Sequence, residues 1–401
     1  MIPEIKQRIE QIFRSEVPEG YKKGKLGIVP EEWNETSFST LFTSTSDYTD
    51  DLDTYPLYSL TIEDGITPKT ERYERSHLVK KEDSYKIVRP NDFAYNPMNL
   101  RFGAVARHKG DMPVAVSGYY DIFTTVFESD LPFMDSFLTC GPMITYYNRV
   151  STGSLVEKQR VHFSQFLEFR LPLPSINERT KIAAILTTQN KVIELKEKRL
   201  AEKQRQKKYL MQQLLTGKKR LPGFFKSWKT VELGEIFNYI QPTAYLVKTT
   251  DYDDSYKTPV LTAGKTFILG YTNETEGVFT KVPVVIFDDF TTATKYVDFP
   301  FKVKSSAMKI LTIKDGFSIV FAYEAMQLIK FTVGGHERHW ISKYSCLTID
   351  IPDIEEQTAI AEILSAADRE IDLLRKDIEQ EKQKEKALIQ LLLTGIVRVK
   401  V

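Results

Sequence analysis

The chain has few of the residues from which compact metal and cofactor sites are usually built. It contains two cysteines, Cys140 and Cys346, and five histidines in 401 residues. Cysteines so far apart exclude a disulfide scaffold and a cysteine-built zinc site, and they are typical of a reducing compartment. The sequence also lacks any Gly-x-Gly pair, the turn with which many proteins hold a nucleotide cofactor.

Long hydrophobic runs are absent as well. No segment approaches the roughly 20 apolar residues that are needed to cross a bilayer. The opening residues, MIPEIKQRIEQIF, place Ile5, Ile9 and Ile12 at helical spacing and lack the continuous apolar stretch of a signal peptide. We therefore expect an amphipathic helix within residues 1–20 and a cytoplasmic protein.

Charge of one sign is not in excess either. The chain has 55 Lys and Arg against 54 Asp and Glu, a net charge of +1, whereas DNA-binding chains usually carry a basic excess. The charge is locally uneven, because residues 196–229 are rich in Lys and Arg while residues 47–53 are acidic. The net charge therefore neither supports nor excludes a nucleic-acid partner. The length predicts two or more domains.

What the sequence does contain is an internal repeat. Residues 174–186, PSINERTKIAAIL, return as residues 352–364, PDIEEQTAIAEIL, and the offset of 178 residues holds as far as Gly217 and Gly395, which end two copies of Leu-Leu-Thr-Gly. About 18 of about 44 ungapped positions are identical, far above chance for a repeat.

A weaker echo opens each half of the chain, where Trp33 corresponds to Trp228. About 140 residues separate Trp33 from Pro174 and about 125 separate Trp228 from Pro352, and each span is a normal domain size. The strand-like runs in these variable regions cover residues 55–59, 104–107, 284–287, 309–313 and 318–322. The pattern predicts two compact mixed domains, each followed by one copy of the repeat.

The repeated segments have the signals of long helices, each of roughly 33 residues. Both begin with a capping box after a proline, Ser175 with Glu178 and Asp353 with Glu356. Both stop at a Thr-Gly pair, where the glycine can adopt the left-handed conformation that ends a helix.

Apolar residues seven apart give each predicted helix a coiled-coil seam. The seam residues are Leu186, Ile193, Leu200 and Leu214 in the first copy, and Leu364, Ile371, Ile378 and Leu392 in the second. The first copy also places Lys196, Lys203 and Lys207 in the seam, where Glu381 and Glu385 of the second copy are possible partners. Charge alone allows both parallel and antiparallel pairing, and separate packing of each helix on its own domain is the alternative.

Four motifs that carry chemistry elsewhere are incomplete here. Residues 264–266, Gly-Lys-Thr, lack the first glycine of a phosphate-binding loop, and Asn96-Pro97 lacks the second proline and the aromatic residue of an adenine methyltransferase site. Residues 336–339, His-Glu-Arg-His, have the wrong spacing for a helical zinc site. Asp288-Asp289 has no nearby acid-x-Lys partner for a Mg²⁺ nuclease, so a loop at a strand end is the favoured interpretation.

This organisation resembles the specificity subunits of type I restriction-modification systems over nearly the whole chain. The motifs that carry the resemblance are PSINER at residues 174–179 and PDIEEQ at residues 352–357, which match the family's Pro-x-x-x-Glu-Gln pattern, and the two LLTG ends. Lys23–Trp33 looks like the family's lead-in to the first recognition domain. Arg179 departs from the pattern, because the family commonly has glutamine there.

The resemblance implies an α+β fold in which two mixed α/β target recognition domains are joined by two conserved helices in an antiparallel coiled coil, with a pseudo-twofold internal repeat. The segments would be an N-terminal helix at 1–20, recognition domains at 21–170 and 218–348, and spacer helices at 171–217 and 349–401. Each domain would read one half of a split, asymmetric DNA site, and the helices would set the spacing.

The resemblance also implies that this chain is not an enzyme. Two methyltransferase subunits would dock on the helices, and restriction and translocase subunits would complete the complex on double-stranded DNA. S-adenosylmethionine, ATP and Mg²⁺ would bind in those partners, with no cofactor, metal or catalytic residue in this chain.

Loops that mix aromatic, basic and amide side chains supply the predicted DNA contacts, because such side chains bind base edges and phosphates. These residues are Lys69, Arg72, Tyr95, Asn99 and Arg101 in the first domain, and Lys265, Thr266, Thr292, Lys295, Arg338 and His339 in the second. For any one of them, a solvated surface position is the competing interpretation.

Two other functions remain open from the residues alone. An autonomous DNA methyltransferase or nuclease fusion would need a cofactor turn or an acidic metal cluster. A coiled-coil adaptor would bind other proteins through its variable domains. Salt-sensitive, sequence-selective retention of DNA separates a DNA reader from an adaptor.

Overall fold

The structure is a computed structural model that describes residues 3–45, 47–69, 85–155, 159–262, 266–331 and 339–400. Contacts divide the chain into two units, one of Met1–Leu195 with Ile378–Val401 and one of Lys196–Asp377. The boundaries fall inside two long helices, so each unit contains part of both helices. The five-segment division expected from the sequence stays a prediction.

Unit 1 contains short helices and strands before the first long helix. Its helices are α1 Pro3–Phe13, α2 Leu131–Phe137, α3 Gly141–Val150, α4 Phe163–Leu167 and the start of α5 Ile176–Leu214. Its strands are β1 Tyr21–Gly24, β2 Gly27–Pro30, β3 Asn34–Ser37, β4 Phe42–Ser44, β5 Tyr48–Thr49, β6 Tyr58–Thr61, β7 Gly65–Pro68, β8 Tyr85–Val88, β9 Phe93–Tyr95, β10 Val105–Arg107, β11 Val114–Ser117, β12 Asp121–Thr125 and β13 Arg170–Leu173.

Unit 2 has the same plan with fewer strands among the described residues. Its helices are α6 Leu233–Ile236, α7 Ile319–Met326, α8 His339–Ser342 and the start of α9 Ile354–Leu393. Its strands are β14 Lys229–Glu232, β15 Phe237–Ile240, β16 Thr258–Leu261, β17 Ile268–Thr272, β18 Val284–Asp288, β19 Thr294–Val297, β20 Lys302–Val303, β21 Met308–Ile313 and β22 Thr348–Ile351. No described helix is long and apolar enough to span a membrane.

Each unit is built around a four-stranded antiparallel sheet. The strand order is β10-β9-β12-β4 in unit 1 and β19-β18-β21-β15 in unit 2. Aromatic side chains fill the core beside the first sheet, where the Phe42 ring meets the Phe123 ring edge-on at 5.1 Å and Phe38 lies 5.0 Å from Phe166. Edge-on contacts of this kind add to the gain from burying the rings.

A two-stranded antiparallel ribbon closes each domain. In unit 1, β3 pairs with β13, and in unit 2, β14 pairs with β22. The first strand of each ribbon follows the repeated tryptophan, Trp33 or Trp228, and the second strand precedes a long helix. The ribbon therefore brings the two ends of each variable region together at the start of its helix.

One strand prediction was wrong. Residues 318–322 were expected to form a strand, but they begin α7, where the Ser318 side chain accepts a hydrogen bond from the Phe321 backbone N–H. A short apolar run is compatible with a buried helix as well as with a strand, and the serine cap decides for the helix.

The predicted helix ends are confirmed, and the helices are longer than expected at 39 and 40 residues. Ser175 Oγ accepts from the Glu178 N–H at 3.3 Å, and Asp353 Oδ1 accepts from the Glu356 N–H at 3.1 Å. Gly217 and Gly395 have φ of +66° and +70°, the left-handed conformation that glycine adopts without strain.

The two long helices run antiparallel within each unit. In unit 2, Lys196 pairs with Asp377, Lys203 with Glu370, and Lys207 with Asp368, each at 2.7–2.9 Å. The residue numbers of the acidic partners fall along α9 as those of the lysines rise along α5. This order shows that the two helices are antiparallel. Seven of the eight seam residues are buried and Leu200 is half-buried. Separate packing of the two helices is therefore wrong.

Within unit 2 the seam lysines meet Asp377, Glu370 and Asp368, which are further acidic residues of α9 beside the two expected from the sequence. Pairing of the seam lysines with Glu381 and Glu385 stays a prediction. Within unit 1, Glu381 accepts a hydrogen bond from Gln189 at 2.7 Å, and burial raises the pKa of Glu385. The sequence offered several acidic residues along α9, and only the antiparallel register selects among them.

Lys207 also ties the second variable domain to both helices. Its ammonium lies 2.9 Å from the Glu324 carboxylate of α7 and 2.7 Å from Asp368 of α9. Burial raises the pKa of Glu324, although Lys207 opposes the shift. For Lys207, burial opposes the charged form, but its hydrogen bonds to Asp368 and Glu324 prevail and raise its pKa.

A buried carboxylate at the start of each long helix binds an arginine that follows the end of the other. Glu356 accepts two hydrogen bonds from Arg220, both at 2.7 Å, and Glu178 accepts two from Arg398, at 2.7 and 2.9 Å. Both carboxylates are 1% exposed. The arginines are themselves 178 residues apart, so the repeat extends past Gly395.

The residue after each buried glutamate, Arg179 in the first copy and Gln357 in the second, also attaches its long helix to the domain, but through a different side chain. In unit 2, Gln357 accepts a hydrogen bond from the Ser318 N–H, which fixes the start of α7. In unit 1, Arg179 stands in place of that glutamine and binds the buried Asp130 with two hydrogen bonds, at 2.9 and 3.2 Å. Asp130 directly precedes α2, so both side chains attach the long helix to the first turn of a domain helix.

We expect Arg179→Gln to destabilise unit 1 by about 3–5 kcal/mol, because it leaves Asp130 buried without its cation. The double variant Arg179→Gln with Asp130→Asn should recover most of this loss. Urea unfolding followed by circular dichroism measures both, with the exposed Arg199→Gln as a control that costs less than about 1 kcal/mol. Equal losses in the single and double variants would contradict a dedicated ion pair.

The two helix-ending glycines allow a matched test of packing. A Cβ at Gly395 would lie 2.5 Å from the Pro30 ring and 2.9 Å from the Trp33 ring, whereas at Gly217 the nearest atom, in the Trp228 ring, is 3.6 Å away. Both share a left-handed φ, which costs alanine about 1 kcal/mol. We expect Gly217→Ala to lose about that much stability and Gly395→Ala about 3 kcal/mol, since overpacking adds to the strain. Differential scanning calorimetry of both variants checks the order.

Candidate nucleic-acid interface

Each unit has one hairpin at the same place in its sheet. In unit 1, strands β9 and β10 are joined by residues 96–104, and in unit 2, β18 and β19 are joined by residues 289–293. In both sheets the second strand of the hairpin is an edge strand. We call residues 96–104 and 289–293 the reading loops. The predicted DNA contacts Tyr95, Asn99, Arg101, Thr292 and Lys295 all lie on these two hairpins.

The reading loop of unit 1 is fixed by its own polar groups. Asn96 Oδ1 accepts from the Met98 N–H at 3.1 Å, which gives the Asn-Pro motif a structural role in the turn. Asn99 is exposed, and Arg101 donates to Gln159 at 3.0 Å while its guanidinium lies 4.5 Å from the Phe102 ring centre. Amide, guanidinium and aromatic groups therefore stand together on one loop.

The reading loop of unit 2 is shorter, and the side chains of Asp288 and Asp289 fix its conformation. Asp288 Oδ1 accepts from the Phe290 N–H at 2.9 Å, and Oδ2 accepts from the Thr291 hydroxyl at 2.8 Å. Asp289 is 1% exposed and pairs with the equally buried Lys309 at 3.2 Å. These contacts favour the structural interpretation of the Asp-Asp pair. Among the described residues, no group of three or more potential metal ligands comes together.

Two predicted contacts are corrected by the structure. Tyr95 and His339 are both 0% exposed. The Tyr95 hydroxyl donates to the Val161 carbonyl and burial raises its pKa, while His339 lies against the Phe331 ring at 5.6 Å. A side chain without accessible surface cannot touch a base, so both are core residues. Neighbouring polar residues in the sequence made them look exposed.

The remaining predicted contacts lie apart from the reading loops or outside the described residues. Lys69 follows β7 and Thr266 precedes β17, and both are exposed. Arg72, Lys265 and Arg338 lie outside the described residues. The DNA-contact role of the exposed residues stays a prediction.

Sequence reasoning missed two residues of the reading loops, Phe102 and Phe290. Their side chains are 48% and 41% exposed, although phenylalanine in a sequence normally indicates core. No local signal in the sequence marks them. Only the strand order, which shows that the two loops correspond, sets them apart from the other phenylalanines.

Comparisons with known proteins agree with this geometry. Residues 226–383 match the family model described as the type I restriction modification DNA specificity domain. The specificity subunit of the Escherichia coli enzyme EcoR124I/EcoR124II is 55% identical over 140 residues, which cover 33% of this chain and 34% of that protein. The match thus spans about a third of that relative's length.

Other similarities extend over nearly the whole chain. A putative MjaX type I restriction enzyme specificity subunit of Methanocaldococcus jannaschii is 25% identical over an alignment of 435 residues, which covers 95% of this chain and 97% of that protein. The solved S subunit from M. genitalium has a TM-score of 0.62 at 13% identity and covers 95% of this chain and 100% of its own, which shows the same fold. The repeat, the antiparallel helices and these matches agree: residues 226–383 match a type I restriction modification DNA specificity domain, and the chain is similar to a type I restriction enzyme specificity subunit over nearly its whole length.

Proposed function

We propose that this chain reads a split, asymmetric DNA site, with each unit's variable domain contacting one half-site through its reading loop. The observation that carries the proposal is that the four-stranded sheets of the two units have the same strand order but carry reading loops of different length and composition. Nine residues with amide and guanidinium groups form the first loop, and five residues with hydroxyl groups form the second. Unlike loops on a shared scaffold read unlike sequences, because base edges are distinguished by donor and acceptor pattern.

In this proposal the chain itself performs no chemistry. Methyltransferase subunits dock on the conserved helices and use S-adenosylmethionine to methylate adenine, and restriction subunits use ATP and Mg²⁺ to translocate and cleave DNA. The specificity-subunit family and the repeated helices support this division of labour. The long helices set the separation of the half-sites, because they are the segments common to both units and each is 39 or 40 residues long.

Replacement of one variable domain tests modular reading. We expect an exchange of residues 33–169 for the corresponding domain of another specificity subunit to change one half-site and to leave the other intact. Mapping methylated adenines across the host genome, with the gene intact, deleted or exchanged, measures the result. A change in both halves would contradict modular reading, and methylation by the purified chain alone would contradict a non-catalytic role.

A four-residue insertion after Lys198 tests the spacer role. It would displace Lys203 and Lys207 by about 6 Å along α5 relative to Glu370 and Asp368. We therefore expect a changed spacing or loss of the methylated motif on the same genome map. The matched control is a four-residue insertion after Gly223, in a loop where no atom lies within 4 Å of a Cβ built on the glycine. An unchanged motif in the Lys198 variant would refute the spacer role.

A further inference from the structure

Both reading loops expose the ring of a phenylalanine to solvent. Phe102 and Phe290 come from unrelated stretches of sequence, yet the strand order places them on corresponding loops. Leaving roughly half of a large apolar ring in water forgoes part of the gain from burial. An exposed aromatic on the corresponding loop of each domain therefore points to a shared use at the surface.

The unit 2 loop is built to hold its shape. Thr292 has φ of +58°, which is strained for a β-branched residue. Contacts of the buried Asp289 stabilise this strained backbone: its carboxylate accepts a hydrogen bond from the Trp340 N–H at 2.9 Å and pairs with the buried Lys309. Because Asp288 fixes the Phe290 and Thr291 backbone, the phenylalanine leaves the sheet from a pre-arranged turn.

The unit 1 loop reaches a similar result by other means. Leu100 is fully buried and anchors the loop, and Gly103 has φ of +94° with the Ile144 side chain 3.2 Å from the place of a Cβ. Phe102 lies between these anchors and carries the Arg101 guanidinium over its ring. Arg101 is tied in turn to Gln159, so the cation and the ring are held as a pair.

We infer that Phe102 and Phe290 are specificity-determining residues that contact the apolar parts of bases, the thymine methyl group or an unstacked ring face, each within its own half-site. The inference rests on the proposed function. A phenyl ring has no hydrogen-bonding group for a phosphate, so its contribution depends on the base it meets. A rigid aromatic also loses little side-chain entropy on contact, which suits it to this role.

The test uses the full chain in a host from which the gene has been deleted. We expect Phe290→Ala to relax one or two base positions in one half-site and Phe102→Ala to relax positions in the other, on a genome map of methylated adenines. In binding titrations of the assembled methyltransferase complex, preference for the intact over the altered half-site should fall roughly tenfold. Phe290→Met, which keeps apolar bulk, should retain most of the preference.

Phe225→Ala in unit 2 and Phe127→Ala in unit 1 are the matched controls, since these rings are 89% and 56% exposed and lie outside the reading loops. Unchanged motifs in the Phe102 and Phe290 variants, or equal relaxation in the controls, would overturn the inference and leave the proposed function standing. Loss of both half-sites in Phe290→Ala and Phe290→Met alike would also overturn it, because the residue would then act on folding. Absence of any split motif with the wild-type chain would overturn the proposed function itself.

Discussion

The buried carboxylates of Glu178 and Glu356 hold the start of each long helix to an arginine beyond the end of the other. A carboxylate at 1% exposure is strongly destabilising without its cation, so Arg398 and Arg220 must stay in place for either unit to be stable. The antiparallel direction follows from this constraint, because the first turn of one helix has to meet the segment that follows the last turn of its partner. Unit 1 is thus completed by residues from the far end of the chain.

The closing ribbons and the two repeated tryptophans depend on the same arrangement. Trp228 donates to Glu356 at 3.1 Å, and Trp33 packs beside Gly395, where the chain turns toward Arg398. With its two ends fixed in this way, each variable domain is free to change elsewhere. The four-stranded sheets keep their order while the reading loops differ in length and chemistry, as the proposed reading of two different half-sites requires.

The features that the sequence predicted correctly are local or periodic. The caps at Ser175 and Asp353, the left-handed glycines and the seam spacing each depend on residues within a turn or two of one another. The predictions that failed depend on contacts between distant segments. Tyr95 and His339 have polar neighbours in sequence but lie in the core. The register of two helices more than 150 residues apart likewise selects which acidic residues of α9 meet the seam lysines, and no local pattern shows that register.

The sequence by itself determined the repeat and the two long helices, because identity at a fixed offset and a seven-residue period can be recognised without knowledge of the fold. Only the tertiary structure decided that Asp130 is the ion-pair partner of Arg179 and that Arg398 binds Glu178 as Arg220 binds Glu356. It also decided that residues 96–104 and 289–293 are corresponding loops. The physical reason is that a buried ion pair or a strand order joins residues that no local pattern connects. Whether a phenylalanine side chain is buried or exposed depends on what packs against it, and this is decided only by the arrangement of the strands in the folded sheet.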